Sequence, residues 1–289
     1  MMKTVFFSAF LALVSSVALN IPMANAASVD EAKKAYAERE YDNPGVLKAQ
    51  KAADLYGQLV SATADAKAKA QYLVRQSEAL YFVGDASPAK ATKLEKHNQG
   101  YLLADQAVKA LGVKDVKAVT AAEIATLKST LTPAQLNLLA DALYHRGVNL
   151  GKWGSANGVA SSLGKWPELR ATMELIGKLG KDDVHSYGSY RTLGRAYAQL
   201  PSLLGGSTAK AEKYLQTGTS KTLAAGQVYS VNGYNNVYYA EVLKEVGKVA
   251  QAKTLLQGFI AANPATLNPA LEPEVRRAQA EAKELLKSL

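Results

Sequence analysis

The chain has 289 residues, a formal net charge of +9 and no cysteine. The lack of cysteine excludes disulfides, thiolate metal sites and the lipid attachment of a bacterial lipoprotein. Lysines and acids alternate along alanine-rich segments, and no basic block is interleaved with aromatics. This pattern indicates solvated helical faces, with an acidic partner as the alternative, and it argues against binding to nucleic acid.

The first residues in chain order, 1–26, have the pattern of a cleaved secretory signal. Lys3 precedes an apolar run from Val5 to Leu19, and Ala24-Asn25-Ala26 is an A-x-A cleavage site. The run is shorter than the roughly 20 residues of a membrane span. We therefore expect export to the periplasm, cleavage near Ala26/Ala27 and no membrane span after cleavage. A retained membrane anchor is the alternative.

The remainder of the chain is expected to be almost entirely helical. Helix-forming residues are abundant and apolar residues recur at spacings of three and four, while turn signals such as "DNPG" and "ANPATLNP" separate the segments. The predicted helices are 28–41, 45–62, 65–83, 97–111, 132–150, 165–179, 187–200, 208–217, 233–246, 248–262 and 272–287. Long connections are expected near 85–96 and 152–165, and long loops in helical proteins often carry function.

The segment "NNVYYAEVLKEVGKVAQAKTLLQGFIAANP" follows the tetratricopeptide frame. Small Ala240 and Ala252 allow two helices to approach closely, and Leu243, Leu256 and Phe259 fill the space around them. We predict an all-α fold in which residues 27–289 form a single domain. In that domain antiparallel hairpins stack as a degenerate tetratricopeptide-like array, an α-solenoid, and a capping helix over 272–287 ends it.

A second copy of the frame, "YRTLGRAYAQLPSLLGGSTAKAEKYL", contains Leu-Pro and Gly-Gly within a helical pattern. Its turn is five residues longer than that of the regular copy, as measured between matching frame positions. Proline ends the first helix, glycine permits positive φ, and Ser207 can cap the second helix. The structural positions of this motif are Tyr190, Gly194, Tyr197, Pro201, Gly205, Gly206, Lys210 and Ala211.

This block and "LYHRGVNLGKWGSANG" resemble the T-component family associated with tripartite ATP-independent periplasmic (TRAP) transporters, over roughly residues 130–265. The resemblance implies cryptic tetratricopeptide hairpins, a ligand-accessible cleft or pore and assembly into a trimer. It also implies contact with the solute-binding component of a carboxylate transporter. Members of that family are typically lipoproteins, and this chain departs from them because it has no cysteine.

Tyrosines are concentrated between Tyr187 and Tyr239, where eight of the fifteen lie. A buried phenol needs a partner for its hydroxyl, so such a zone suits a polar-lined cavity or an interface. Tyr187, Tyr234 and Tyr238 lie off the repeat frame and are the candidate ligand-facing rings.

Polar candidates accompany these rings, and each has a structural alternative. Arg191 and Arg195 share a helix face and can bind a carboxylate or form surface ion pairs. Asn235 belongs to "SVNGYNNVYYA", which suits a recognition loop or a helix cap. Trp153, paired with Trp166 across a connection, forms a lid or fastens a loop. Arg146, beside His145, contacts a ligand or is a satisfied structural group.

Catalytic and metal-binding motifs are lacking from the sequence. It contains neither G-x-S-x-G nor H-E-x-x-H, and "GVNLGKWGS" departs from a phosphate loop. His97, His145 and His185 are far apart in the chain, so we expect no metal, no cofactor and no enzyme.

The sequence therefore predicts a periplasmic binding module with a cleft for a small hydrophobic or carboxylated solute, for a solute-binding partner protein, or for both. The alternative is an envelope interaction scaffold without a small ligand. A homo-oligomer, trimeric by the resemblance, is also expected.

Overall fold

Residues 28–289 are described by a computed structural model and are all-α, with a single isolated β-bridge between Leu223 and Ser230 and no strand in this range. The predicted signal, 1–26, lies outside the described residues. The helices are α1 Val29–Ala37, α2 Asn43–Ala62, α3 Ala66–Ala86, α4 Lys90–Ala110, α5 Ala121–Thr130, α6 Pro133–Asn157, α7 Val159–Ser162, α8 Trp166–Lys178, α9 Val184–Gln199, α10 Thr208–Ser220, α11 Gly233–Glu245, α12 Val249–Ala261, α13 Pro264–Leu267 and α14 Glu272–Lys287. Across these helices, none is both long enough and apolar enough to cross a bilayer.

Several helices begin at a side chain that caps free backbone N–H groups. Thr120 and Thr132 form capping boxes with Glu123 and Gln135 at the starts of α5 and α6. Helix α5 is not among the predicted helices, because it buries only Leu127 and so lacks an apolar stripe. Its capping box was the signal that could have revealed it.

Two connections differ from expectation. The long loop expected over 85–96 is wrong, because α3 ends at Ala86 and α4 begins at Lys90. The connection expected over 152–165 is also shorter, since α6 continues to Asn157. Gly158, with φ of 103°, then leads into α7 and a 3₁₀ turn at Leu163–Lys165.

The Leu-Pro and Gly-Gly break forms a turn between α9 and α10, as predicted. Leu200 is extended before Pro201, Gly205 has φ of 94°, and the Ser207 side chain accepts a hydrogen bond from the Lys210 N–H. A Cβ on Gly194 would lie 2.5 Å from Leu215 Cγ, so glycine permits the close approach of α9 and α10. Other motif positions pack in this hairpin: Ala211 and Tyr197 are buried, Tyr190 is half-buried, and Lys210 lies over the Tyr197 ring.

Helices that follow one another pack together through much of the chain, as hairpins do, and α6 also contacts α3, α4 and α9. Ala240, Ala252, Leu256 and Phe259 are fully buried, so the α11 and α12 pair has the small and large core positions that the repeat frame requires. The long α6 thereby contacts helices from both halves of the chain.

The terminal helix α14 has the predicted bounds and packs on α11 and α12, but it also reaches the beginning of the chain. Arg39 donates to both carboxylate oxygens of Glu274, at 2.9 and 3.0 Å, and Arg277 donates to Asp85 at 2.8 Å. The two ends of the described chain therefore meet, and the helices surround a central cavity.

Candidate functional site

The central cavity has a volume of about 440 Å³. Its walls come from α1, α3, α6, α8, α9, α11 and α14, together with the connection after α1, the segment 162–165 and the turn before α14. The apolar part of its lining is Val148, Leu150, Leu163, Leu169, Ala196, Leu200, Leu271 and Val275. Tyrosines, four basic side chains, four acidic side chains and two histidines supply most of the remainder, so the cavity suits an amphipathic molecule.

Lys152 supplies one cation to the cavity wall. Its ammonium group lies 2.5 Å from Asp85 Oδ1 and near the rings of Tyr81 and Tyr234, at 5.9 and 6.0 Å from their centroids. Burial favours the neutral amine, but Tyr81 and Asp85 outweigh it and hold the pKa of Lys152 well above its ordinary value. Lys152 is therefore charged at neutral pH.

Arg195 supplies a second cation to the cavity wall. It pairs with Glu241, and its guanidinium lies 4.4 Å from the centroid of the Tyr238 ring. The candidates Tyr234 and Tyr238 both line the cavity, with ring centroids 5.3 Å apart. The fold thus brings these three predicted residues together.

Three phenols in the wall have hydroxyls without a hydrogen-bond partner among residues 28–289. They belong to Tyr36, Tyr81 and Tyr238, which line the cavity from α1, α3 and α11. Burial raises the pKa of Tyr81, so its hydroxyl keeps its proton and can donate. Tyr234, by contrast, already donates to Glu281 at 3.0 Å. Tyr81 lies more than 100 residues before the tyrosine-rich zone, which is why sequence reasoning did not select it.

Trp153 and Arg146 do not line the cavity. They project from the side of α6 away from Val148 and Lys152, because one residue turns a helix by about 100°. Arg146 is buried against Asp105 and Glu168, with N to O distances of 2.8 and 2.5 Å, and so is a satisfied structural group. Arg146 lines a second pocket with Asp105 and Glu168 instead, and the ligand-facing role of Trp153 and Arg146 stays a prediction.

The start of α9 has an unusual backbone. His185, Ser186 and Tyr187 all have positive φ, at 50°, 55° and 56°, and form a single left-handed turn. Left-handed helix costs L-residues about 1–2 kcal/mol each. Tyr187 is held in this turn against Tyr190, with centroids 5.6 Å apart, and does not line the cavity. The fold therefore places this ring away from the cavity, and its ligand-facing role stays a prediction.

The left-handed turn is held by Arg191 and Asn235. Arg191 donates to the carbonyls of His185 and Ser186, at 3.4 and 3.5 Å, and to Asn235 Oδ1 at 3.0 Å. Asn235 in turn donates to the Ser186 carbonyl at 3.2 Å, and Arg191 donates to the Tyr144 hydroxyl at 2.7 Å. Arg191 borders the cavity and Asn235 is buried behind it, so these two candidates act as a clamp.

Replacing Ser186 with glycine is expected to raise the free energy of unfolding by about 1 kcal/mol, because glycine adopts positive φ without steric cost. Urea unfolding followed by circular dichroism measures the change. The control is Ser155→Gly, which lies in right-handed α6 and should lose about 0.5–1 kcal/mol. Equal losses in the two variants would contradict a strained turn at Ser186.

The left-handed turn places His185 beside a second histidine. His185 Nε2 lies 2.6 Å from Asp141 Oδ1, and His145 Nε2 lies 3.3 Å from the same oxygen. The two imidazole centroids are 4.9 Å apart, and both rings line the cavity. The expectation that the histidines are scattered is wrong for this pair, although His97 lies elsewhere. Asp141 and His145, one helical turn apart, were the sequence signal that was missed.

The electrostatics of this cluster favour a neutral His185 imidazole beside an ionised Asp141 carboxylate. Burial lowers the pKa of His185, although Asp141 opposes the shift. Burial acts to raise the pKa of Asp141, but its contacts with His145 and His185 hold it well below the ordinary value. Arg75 pairs with the second oxygen of Asp141 and with Glu78, so Oδ1 is left to the histidines.

No protein-family model matches the sequence, and no curated protein matches it. The resemblance to the TRAP T-component family stays a prediction. The site is therefore interpreted from its own geometry and chemistry.

Proposed function

We propose that this protein is a periplasmic binding module, built as a degenerate tetratricopeptide-like array, that holds a small amphipathic carboxylate in its central cavity. The observation that supports this most is the set of unused phenol donors, Tyr36, Tyr81 and Tyr238, in a wall that also contains charged Lys152. A carboxylate accepts from such groups, while the apolar part of the lining takes the hydrocarbon. Nothing in this role requires catalysis.

The same proposal includes the family resemblance. A T component would present its solute to a periplasmic solute-binding protein, and its oligomer would be a trimer. The cavity supports a role in solute binding, and the partner and oligomer are inferred from the resemblance alone.

The first experiment detects a bound ligand. Native mass spectrometry of gently purified protein should show an adduct that denaturation releases.

Thermal unfolding then compares the effects of octanoate, octanol and octylamine on the melting temperature, because a ligand of the native state raises stability. Octanoate is expected to raise the melting temperature most. Equal effects of all three compounds, with no adduct, would contradict the proposal.

Variants of the phenols test the donors without changing the shape of the cavity. Tyr81→Phe and Tyr238→Phe are each expected to weaken octanoate binding about tenfold, which is the effect of one hydrogen bond to a charged group. Tyr187→Phe is the matched control, since Tyr187 does not line the cavity. Calorimetric titration measures the affinities for octanoate. Unchanged affinity in both cavity variants would show that the Tyr81 and Tyr238 hydroxyls do not bind the carboxylate.

A second candidate function, an interaction scaffold, is favoured by one surface feature. Leu203 is 97% exposed and Leu204 is 44% exposed, in the turn between α9 and α10. If this turn docks a partner, Leu203→Ser should abolish partner binding and leave octanoate binding intact.

A further inference from the structure

Asp141, His145 and His185 have the geometry of a metal site. One ligand atom from each lies within 4.8 Å of the other two. In a tetrahedral zinc site, ligand bonds near 2.1 Å place neighbouring ligand atoms about 3.4 Å apart. The 3.3 Å distance between Asp141 Oδ1 and His145 Nε2 already matches this spacing. The 2.6 Å distance between Asp141 Oδ1 and His185 Nε2 would have to increase by about 0.8 Å.

His145 supplies the second, independent observation. Its side chain is 5% exposed, Nδ1 has no partner among the described residues, and the 3.3 Å approach of Nε2 to Asp141 Oδ1 is not aligned as a hydrogen bond. A buried polar group without a partner costs about 1–3 kcal/mol. The same ring lines the cavity, so a ligand in the cavity wall can satisfy it.

The surroundings are built to hold this arrangement. The left-handed turn that carries His185 stores strain, and strained backbone of this kind clusters at functional sites. The Tyr144 ring stacks on His185 with centroids 4.1 Å apart, and Arg75 orients Asp141 through its second oxygen. Outer contacts of this type fix the orientation of metal ligands.

From this geometry we propose that Asp141 Oδ1, His145 Nε2 and His185 Nε2 bind one divalent first-row transition-metal ion, with Zn²⁺ as the probe. Two imidazoles and one carboxylate suit zinc and its neighbours and disfavour Ca²⁺ and Mg²⁺, which take oxygen ligands. Because both histidines line the cavity, the positions that the protein leaves open face its interior. The proposal goes beyond solute binding and does not depend on it.

The test uses chelator-treated protein without a histidine tag, so that no added histidine competes for the metal. The chain itself has only three histidines and no cysteine. Calorimetry should show one Zn²⁺ per chain and no comparable binding of Ca²⁺. His185→Asn and Asp141→Asn should weaken Zn²⁺ binding at least a hundredfold. His97→Asn is the matched control: His97 is also buried, but it is hydrogen-bonded to Asn149 at 3.2 Å and lies outside the cluster. This variant should keep wild-type affinity.

Two readouts on the wild-type protein keep the test decisive if a variant does not fold. Zn²⁺ should shift the imidazole resonances of His145 and His185 and leave those of His97 in place. Co²⁺ should give the visible bands of a four-coordinate ion. The proposal is overturned by undetectable Zn²⁺ binding, by shifts at His97 alone, or by equal affinities in wild type and a folded His185→Asn variant. Octanoate binding, measured separately in chelator, reports on the solute cavity alone.

Discussion

Replacing Arg39 with methionine is expected to lower the free energy of unfolding by about 3 kcal/mol. Arg39 is buried, and it donates to Glu274, to the Ala270 carbonyl at 2.8 Å and to the Tyr36 carbonyl at 3.2 Å. Removing one partner of such a pair leaves a largely buried carboxylate without its cation, which costs far more than the net value of an exposed pair. Chemical unfolding in urea measures the loss.

Arg276→Met is the control, because Arg276 joins the same two ends of the chain from an exposed position. It pairs with Glu40, and both side chains are more than 40% exposed. Exposed ion pairs contribute about 0–1 kcal/mol, so this variant should lose less than about 1 kcal/mol. Equal losses at Arg39 and Arg276 would show that burial of the Arg39 pair is not what stabilises the junction.

The loss at Arg39 should also depend on pH. Burial raises the pKa of Glu274 above its ordinary value, although Arg39 opposes the shift. Without Arg39 the folded-state pKa rises further, so the folded protein takes up a proton more readily than the unfolded chain. The loss in free energy of unfolding caused by Arg39→Met is therefore largest above the folded-state pKa of Glu274 and becomes smaller as the pH falls through that pKa. Adding Glu274→Gln should recover part of the stability at neutral pH.

Replacing Gly206 with alanine is expected to cost about 3 kcal/mol, because the new methyl group has no room. A Cβ at this position would lie 1.8 Å from the Leu200 carbonyl oxygen and 2.6 Å from its carbon, and both atoms are backbone. The turn between α9 and α10 would have to shift. Gly205→Ala should cost about 1 kcal/mol, since the cost there is the positive φ of 94°.

Gly164→Ala is the control for both glycine variants. Gly164 lies in the 3₁₀ turn Leu163–Lys165, and a Cβ there would meet nothing within 4 Å. Its melting temperature should stay close to that of the wild type. A Gly206→Ala protein that melts with the Gly164→Ala protein would refute the steric account of the turn.

Helical periodicity, capping residues and Gly-Pro punctuation were sufficient to predict most helices and the lengthened turn, because these are local properties. Periodicity failed at α5, because this helix has no clear apolar stripe. Its strong capping box alone did not lead to a prediction. Arg195, Tyr234 and Tyr238 were found because they lie within one aromatic zone. Tyr81 and Lys152 were missed, since only the tertiary fold brings them to the same cavity.

The left-handed turn illustrates a different limit. Nothing in the tripeptide His185-Ser186-Tyr187 favours positive φ, and glycine is the residue that normally adopts it. The conformation exists because Arg191 and Asn235 hold the carbonyls of the turn from outside. Arg191 and Asn235 were predicted as ligand contacts from their chemistry, and in the structure they hold the backbone turn that shapes the cavity wall.

The junction between the two ends of the chain also bears on how this fold can change. An open solenoid gains or loses hairpins at little cost, because each unit contacts only its neighbours. Here Arg39 pairs with Glu274 and Arg277 pairs with Asp85, so an added or deleted hairpin is expected to disturb contacts between distant parts of the chain. Changes in chain length are therefore expected in turns rather than as whole hairpins.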